Sequence, residues 1–205
     1  MKPLYWEQAA RELADRDLVL HELIARFPGL ALQRRGDAFS TLARAIVGQQ
    51  ISVQAAESVW QRLVTVVGTV APRVVVERTE IELRTAGLSR QKIAYLRDLA
   101  DRFLTGTVSV DRWSGLDDDA LVAELTRVRG IGRWTAEMFL IFHLQRPDVL
   151  PLDDLGLQRA VSLHYNHGRA VSQRRLKVLG RAWAPWRSVA TWYLWRSLDP
   201  IPVEY

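Results

Sequence analysis

The chain has 205 residues and 48% hydrophobic content, enough for one domain or two lobes around a true core. It has no cysteine, which excludes disulfides, zinc–thiolate centres and iron–sulfur clusters. Net charge is +5, and only Lys2, Lys92 and Lys177 among its 28 basic residues are lysines. Such an arginine excess suits bidentate grip on phosphate, and equally an arginine-rich codon usage. No apolar run approaches the ~20 residues that cross a bilayer. The N-terminal stretch has acidic residues and no apolar h-region, so neither a membrane span nor a signal peptide is expected.

Periodicity is helical nearly throughout, which makes the expected class all-α. Residues 5–17 and 18–27 read as two amphipathic helices stopped by Pro28-Gly29. Phe39, Leu42, Ala43 and Ile46 share one face of the next helix. Ser52, Thr79 and Ser89 suit N-caps of three that follow, and Gly68 and Gly87 suit stops. Val74–Val76 is the best strand candidate but has no evident partner, so it is assigned to a helix or loop. Ile93, Leu96, Leu99, Ala100 and Phe103 form one apolar stripe. Residues 106–115 read as a linker. A helix with an acidic first turn follows, at 116–128, and residues 133–144 are apolar nearly all round. Three more helices are expected, opened by Asp153 or Asp154, near Gln173, and near Pro185 at N1.

Between two of these helices stands VRGIGRW, residues 128–134. Gly130 and Gly132 can take positive φ or admit a close neighbour. The helix that starts just after Gly132 aims its first N–H groups outward, where a phosphate oxygen docks. The pattern is G-x-G-x-x-T with no strand before it, so it is not a dinucleotide fingerprint. A plain helical turn fits the two glycines as well. Downstream, the stretch VLPLDDLGLQRAV places Asp153 and Asp154 at a helix start, where either could be a simple cap.

Taken together, Leu125, Val128, Gly130, Ile131, Gly132, Thr135 and Ala136, followed by Asp154, resemble the helix–hairpin–helix DNA glycosylases, the HhH-GPD superfamily. WAPWRSVATWYLW at 183–195 is similar to the C-terminal helix of its 3-methyladenine glycosylase II branch. RAIVGQQISVQAA and GLSRQKIAYLRDLA match further blocks. The resemblance covers about residues 37 to 198, in order. It implies a compact form of that branch, without its N-terminal mixed α/β domain. The whole chain would be one domain: one lobe at about 35–145, the other at 1–34 with 148–205, and a cleft between them.

The resemblance also implies roles. Arg129, Gly130, Ile131, Gly132, Arg133 and Thr135 would hold DNA backbone. The carbonyls of Thr126, Val128 and Ile131 would hold a structural Na⁺ or K⁺, with no other cofactor. Asp154 would be catalytic, with Arg159 a turn later and Asp153 as the helix cap. Trp134, Trp195 and Met138 would line the base pocket, Met138 standing where bacterial relatives have tyrosine. Trp183 and Trp186 would be core. Gln50, where some relatives have leucine, would be the wedge filling the gap left by a flipped base; a kink at Gly48 without DNA contact is the alternative. Arg90 and Lys92 would touch phosphate. Trp134 stands where a lysine nucleophile occurs in some relatives, so hydrolysis without lyase activity is expected. His164 and His167 lack a third ligand and suit a turn better than a metal.

The implied activity is release of alkylated bases such as 3-methyladenine and 7-methylguanine from duplex DNA by base flipping, which starts base-excision repair. A glycosylase for oxidised or mismatched bases, or a non-catalytic DNA-binding module, remains open. The expected setting is the bacterial nucleoid in the cytoplasm. A monomer is expected, with no membrane and no nucleotide cofactor.

Overall fold

A computed structural model describes residues 2–34 and 36–198. Twelve helices, among the described residues, follow in order: α1 (Trp6–Arg16), α2 (Leu18–Arg26), α3 (Ala38–Gly48), α4 (Val53–Val67), α5 (Pro72–Glu77), α6 (Glu80–Thr85), α7 (Arg90–Leu104), α8 (Asp118–Leu125), α9 (Arg133–Phe142), α10 (Leu155–Tyr165), α11 (Gln173–Trp183) and α12 (Arg187–Leu198). There is no strand among these residues. Contacts group the chain into two units, one of residues up to 34 with those from Leu140 on, the other Gly36–Phe139. The division falls inside α9, earlier than the boundary near 145 suggested by the sequence.

In the Gly36–Phe139 unit, α7 packs against α3, α5 and α6 through Ile93, Leu96, Leu99 and Ala100. Burial of each large aliphatic side chain contributes roughly 1.5–3 kcal/mol. The three expected caps form. Ser52 accepts from the Ala55 amide, Ser89 from the Lys92 amide, and Thr79 shares a full capping box with Glu82. Each is worth about 1 kcal/mol. Val74–Val76 lies in α5, where only Val75 is buried. The stretch read as a linker does more than connect. It holds a 3-10 segment, Val110–Gly115, whose Trp113 is buried between Phe103 and Phe139. Its indole N–H donates to Glu124 at 2.9 Å, which lets a polar atom enter the core.

In the other unit, α12 packs on α1, α2, α10 and α11 and is buried nearly all round. Trp6, Trp192 and Tyr193 meet edge-on or tilted, with centroids 4.9 to 5.9 Å apart. Asp17 caps α2 and accepts from the Tyr165 hydroxyl at 2.8 Å and the Trp183 indole at 3.1 Å. Trp183 is core, as expected. Trp186 is not: it is half-buried, stacks on Tyr5 at 5.6 Å and donates to Glu12. Pro185 also departs from expectation. It lies in the turn between α11 and α12, after a cis bond from Ala184, because α12 begins only at Arg187.

Candidate functional site

The hairpin between α8 and α9 is built from the inside out. Val128 and Ile131 are buried and anchor its two limbs. Thr126 caps α8, the Val128 amide donates to Leu125, and the Ile131 amide donates to the Val128 carbonyl at 3.1 Å. Gly130 has φ +85°, and a Cβ there would stand 2.2 Å from the Tyr95 ring. Glycine is therefore required by the protein's own packing. Gly132 is different: it is outside the left-handed region and a Cβ would meet nothing within 4 Å. No neighbour in the chain demands glycine there, which fits close approach by something outside the chain.

The outward side of the hairpin is polar. Arg129, Gly132, Arg133 and Trp134 are exposed, and Thr135 is half-buried at the start of α9. Arg133 reaches back to Glu137 at 2.9 Å and Asp119 at 3.4 Å. The Arg129 amide donates to Asp98 Oδ2 at 2.8 Å, and Arg102 donates to the same oxygen. Burial alone would raise the Asp98 carboxyl, but these two donors hold it below the usual aspartate range. Met138 is buried on α9, whereas the Trp134 indole is 37% exposed.

The α3–α4 turn carries Gln50, which is exposed and left-handed at φ 60°. The neighbouring Gln49 amide donates to the Gly130 carbonyl at 2.7 Å, which fixes the turn to the hairpin. Ile51 and Val53 beside it are exposed apolar residues. Two basic residues expected at phosphate are otherwise engaged. Lys92 donates to the Val47 carbonyl at 2.7 Å, close to the C-terminus of α3, where a cation suits the helix dipole. Its burial lowers the ammonium pKa. Arg90 lies 3.2 Å from Glu80 and stays exposed.

In the other unit, Asp154 is buried at 8% exposure. It, and not Asp153, is the N-cap of α10: Oδ1 accepts from the Leu157 amide at 2.6 Å. The helix starts at Leu155, so the N3 amide falls three residues after 154. Asp153 is exposed and accepts from Gln173. The cap of α10 is thus the same carboxylate that the resemblance marks as catalytic. The same Oδ1 also accepts from the Trp195 indole at 2.7 Å, and Trp195 stacks on Phe142 at 5.6 Å with an interplanar angle of 9°. Gly156 leaves room for this pair, since its Cβ would stand 3.1 Å from that oxygen and 3.2 Å from Trp195 Cδ1. The result is a carboxylate with a fixed direction at a helix N-terminus, where negative charge is favoured, beside a stacked aromatic wall. Such an arrangement can stabilise a cation or orient a water.

Some expected residues stand apart. Arg159 is exposed on α10. His164 Nε2 pairs with Ser197 Oγ at 2.8 Å, and burial lowers its pKa. His167 sits in a turn at φ 51°. No group of three metal-ligating side chains occurs among the described residues. No helix among them is long and apolar enough to cross a membrane. Sequence reading missed Phe142, Tyr95, Asp98 and Gln49. Their roles arise from contacts across long stretches of chain that leave no local pattern.

The chain and its fold are similar to known proteins. The chain is similar to DNA-3-methyladenine glycosylase 1 of Schizosaccharomyces pombe, at 30% identity over 83% of this chain and 76% of that protein. Its fold superposes on the crystal structure of a DNA-3-methyladenine glycosidase from Bacillus halodurans with a TM-score of 0.86, at 33% identity over 93% of this chain and 89% of that one. Mag1, a 3-methyladenine DNA glycosylase of S. pombe solved with abasic DNA, matches with a TM-score of 0.83, at 26% identity over 97% and 98% of the two chains. A glycine hairpin, a capping aspartate and an all-helical frame are thus joined to a sequence match over residues 43–187, and the chain belongs to the HhH-GPD superfamily of base excision DNA repair proteins.

Proposed function

We propose that the protein is a monofunctional DNA glycosylase that hydrolyses the N-glycosidic bond of alkylated bases in duplex DNA. The similar proteins from S. pombe and Bacillus halodurans carry names of 3-methyladenine removal, and the Mag1 structure holds abasic DNA, the product class of that reaction. The observation that carries the reading is the buried Asp154 carboxylate, oriented by the Leu157 amide and the Trp195 indole.

The chemistry follows from charge. A base alkylated at a ring nitrogen is cationic. As its bond to C1′ breaks, the bonding electrons pass to the base and neutralise it, while positive charge grows on the deoxyribose. A fixed anion gains most in that state, so it lowers the barrier and not merely the ground state. Water then bonds to C1′ and releases a proton, which Asp154 can take before passing it to solvent. Trp134 supplies an exposed indole face to a cationic base, worth roughly 0.5–2 kcal/mol. Trp195 forms an aromatic wall beside the carboxylate, and Met138 backs α9. Gln50 occupies the gap in the base stack. Arg129, Gly130, Gly132, Arg133 and Thr135 hold the phosphate backbone. With Trp134 in place of a lysine, no imine forms with the sugar, and the product is an abasic site with its strand intact.

The hairpin carbonyls of Thr126, Val128 and Ile131 would be the ligands of a monovalent cation. These are hard oxygen donors, and the Val128 carbonyl, which already accepts the Ile131 amide, keeps a second lone pair. Such an ion would add positive potential for phosphate. The cytoplasm is the setting this reading implies.

Asp154→Asn is the test. It preserves the cap's shape while removing charge. Release of 3-methyladenine from methylated duplex, identified by mass, should fall on the order of 10²–10³-fold. Duplex binding should stay within about 2-fold, because phosphate contacts are untouched. Release at the parent rate would remove Asp154 from the chemistry. Release of an oxidised or mismatched base in place of alkylated ones would change the substrate class.

A further inference from the structure

From Leu155 to Leu198 the chain has no aspartate or glutamate, yet it has eight arginines and lysines. The total charge is +5, so the remainder of the chain is net negative. The positive field therefore does not come mainly from the hairpin. Two of the eight are used internally: Arg187 pairs with Asp148, and Arg196 is buried against Trp192. The concentration lies on α11.

Helix α11 has a clear division of faces. Leu176, Gly180 and Trp183 are buried. Arg174, Lys177 and Arg181 recur at helical spacing on the opposite side, with Arg175 on the flank, and all four are exposed. Among the described residues none of them has a carboxylate within 4 Å. Several arginines on other helices are paired with acids of their own or a neighbouring helix: Arg16 with Glu12, Arg44 with Glu57, Arg78 with Glu82, Arg102 with Asp98. Two aspartates touch α11 away from this face: Asp153 accepts from Gln173 at its first turn, and Asp17 accepts from the buried Trp183 at its last. An arginine-rich composition alone would predict paired and unpaired cations on every helix. What sets this face apart is that four cations cluster on one short helix with no acid of its own and no ion pair among the described residues.

We infer that the Arg174, Lys177 and Arg181 face of α11 is a second DNA-binding surface, which takes the phosphate backbone of duplex DNA independently of sequence and damage. Resting on the glycosylase reading for the identity of the polyanion, it adds a contact that the hairpin motif does not contain. Like-charged side chains on one exposed face repel each other, and release of counterions from DNA offsets that cost on binding. The partner is argued from charge complementarity: four unpaired cations on a straight helix face suit a regularly spaced polyanion. The surface would raise residence on undamaged duplex during search and leave the chemical step unchanged.

The experiment compares the full-length parent with the triple variant Arg174→Gln, Lys177→Gln, Arg181→Gln. Glutamine keeps helix propensity, and the positions are exposed. A control of equal net charge, Arg11→Gln, Arg73→Gln, Arg84→Gln, removes three exposed cations from other helices. Binding to undamaged 25-base-pair duplex is measured from 50 to 300 mM salt, with circular dichroism to check folding. The α11 variant should bind roughly 10-fold more weakly, with a salt slope smaller by about 2–3, and the control should lose much less. Single-turnover release of 3-methyladenine at saturating enzyme should match the parent. Equal losses in both variants would reduce the effect to net charge and overturn the surface. So would an unchanged salt slope, or loss of binding to phosphatidylglycerol vesicles with DNA binding intact. If the parent itself binds duplex but releases no alkylated base, the glycosylase reading fails while the α11 comparison still stands or falls on its own slope.

Discussion

In the hairpin the atoms proposed to meet DNA belong to the main chain, and side chains hold them from behind. Tyr95 lies under Gly130, Asp98 accepts from the Arg129 amide, and Gln49 donates to the Gly130 carbonyl. At Asp154 the roles are exchanged: the atom proposed to act is on a side chain, and a main-chain amide with an indole N–H sets its direction. The difference follows from the targets. A phosphate backbone is long and repetitive, and needs several donors of moderate precision. A single carbon that becomes cationic needs one charge with little freedom. Loss of a support should therefore weaken binding in the first region and slow chemistry in the second.

After Asp154→Asn, the largest effect should appear at Trp195. Trp195→Phe keeps a ring to stack on Phe142 and removes the N–H donated to Asp154. A hydrogen bond to a charged group is worth about 1.5–3 kcal/mol, so kcat should fall roughly 10- to 100-fold with KM little changed. A change in KM alone would place the indole in binding and blur the contrast. Next comes the glycine pair. Gly130→Ala forces a Cβ into the Tyr95 ring and should cost about 1–3 kcal/mol of stability in urea unfolding. Gly132→Ala should keep stability within about 1 kcal/mol and weaken duplex binding, since its Cβ points into open space. If both variants lose stability equally, the two glycines have one structural role. Gln49→Leu removes the tie between the α3–α4 turn and the hairpin. It should reduce excision of a paired lesion by about 1 kcal/mol, near 5-fold, and affect an unpaired one less.

The smallest effect concerns pH. The Asp98 carboxyl is held below its ordinary value of 3.8 by the Arg129 amide and Arg102, against the opposing effect of burial. A depressed folded value means the anchor contributes fully above the ordinary value and is lost as pH falls through the folded one. The stability gap between the parent and Asp98→Asn should hold from pH 7 to about 5 and narrow below 4. A gap that widens on acidification would contradict the sign.

Much of this frame is legible in the chain. Caps such as Ser52, Thr79 and Ser89 are local, since each needs only a backbone amide three residues on. The hairpin is legible for the same reason. The choice between Asp153 and Asp154 was not, because both suit a cap and only the helix start at Leu155 decides. Trp113 was hidden inside a stretch whose glycines suggested a connector, and its burial depends on Phe103 and Phe139. Trp186 shares a tryptophan-rich segment with Trp183 but falls where α11 has ended, so it faces Tyr5 and solvent. The Asp154–Trp195 bond spans 41 residues, and Gln49–Gly130 spans 81. Such pairings are set by how helices pack, which no local periodicity encodes.

Position 156 has a consequence for how this protein can vary. A methyl group there would press on the carboxylate oxygen and the indole together, and both would have to move to admit it. Leu155, immediately before it, is 77% exposed. In a library randomised at both sites and selected for growth under methylating stress, survivors should carry almost any residue at the first and glycine at the second.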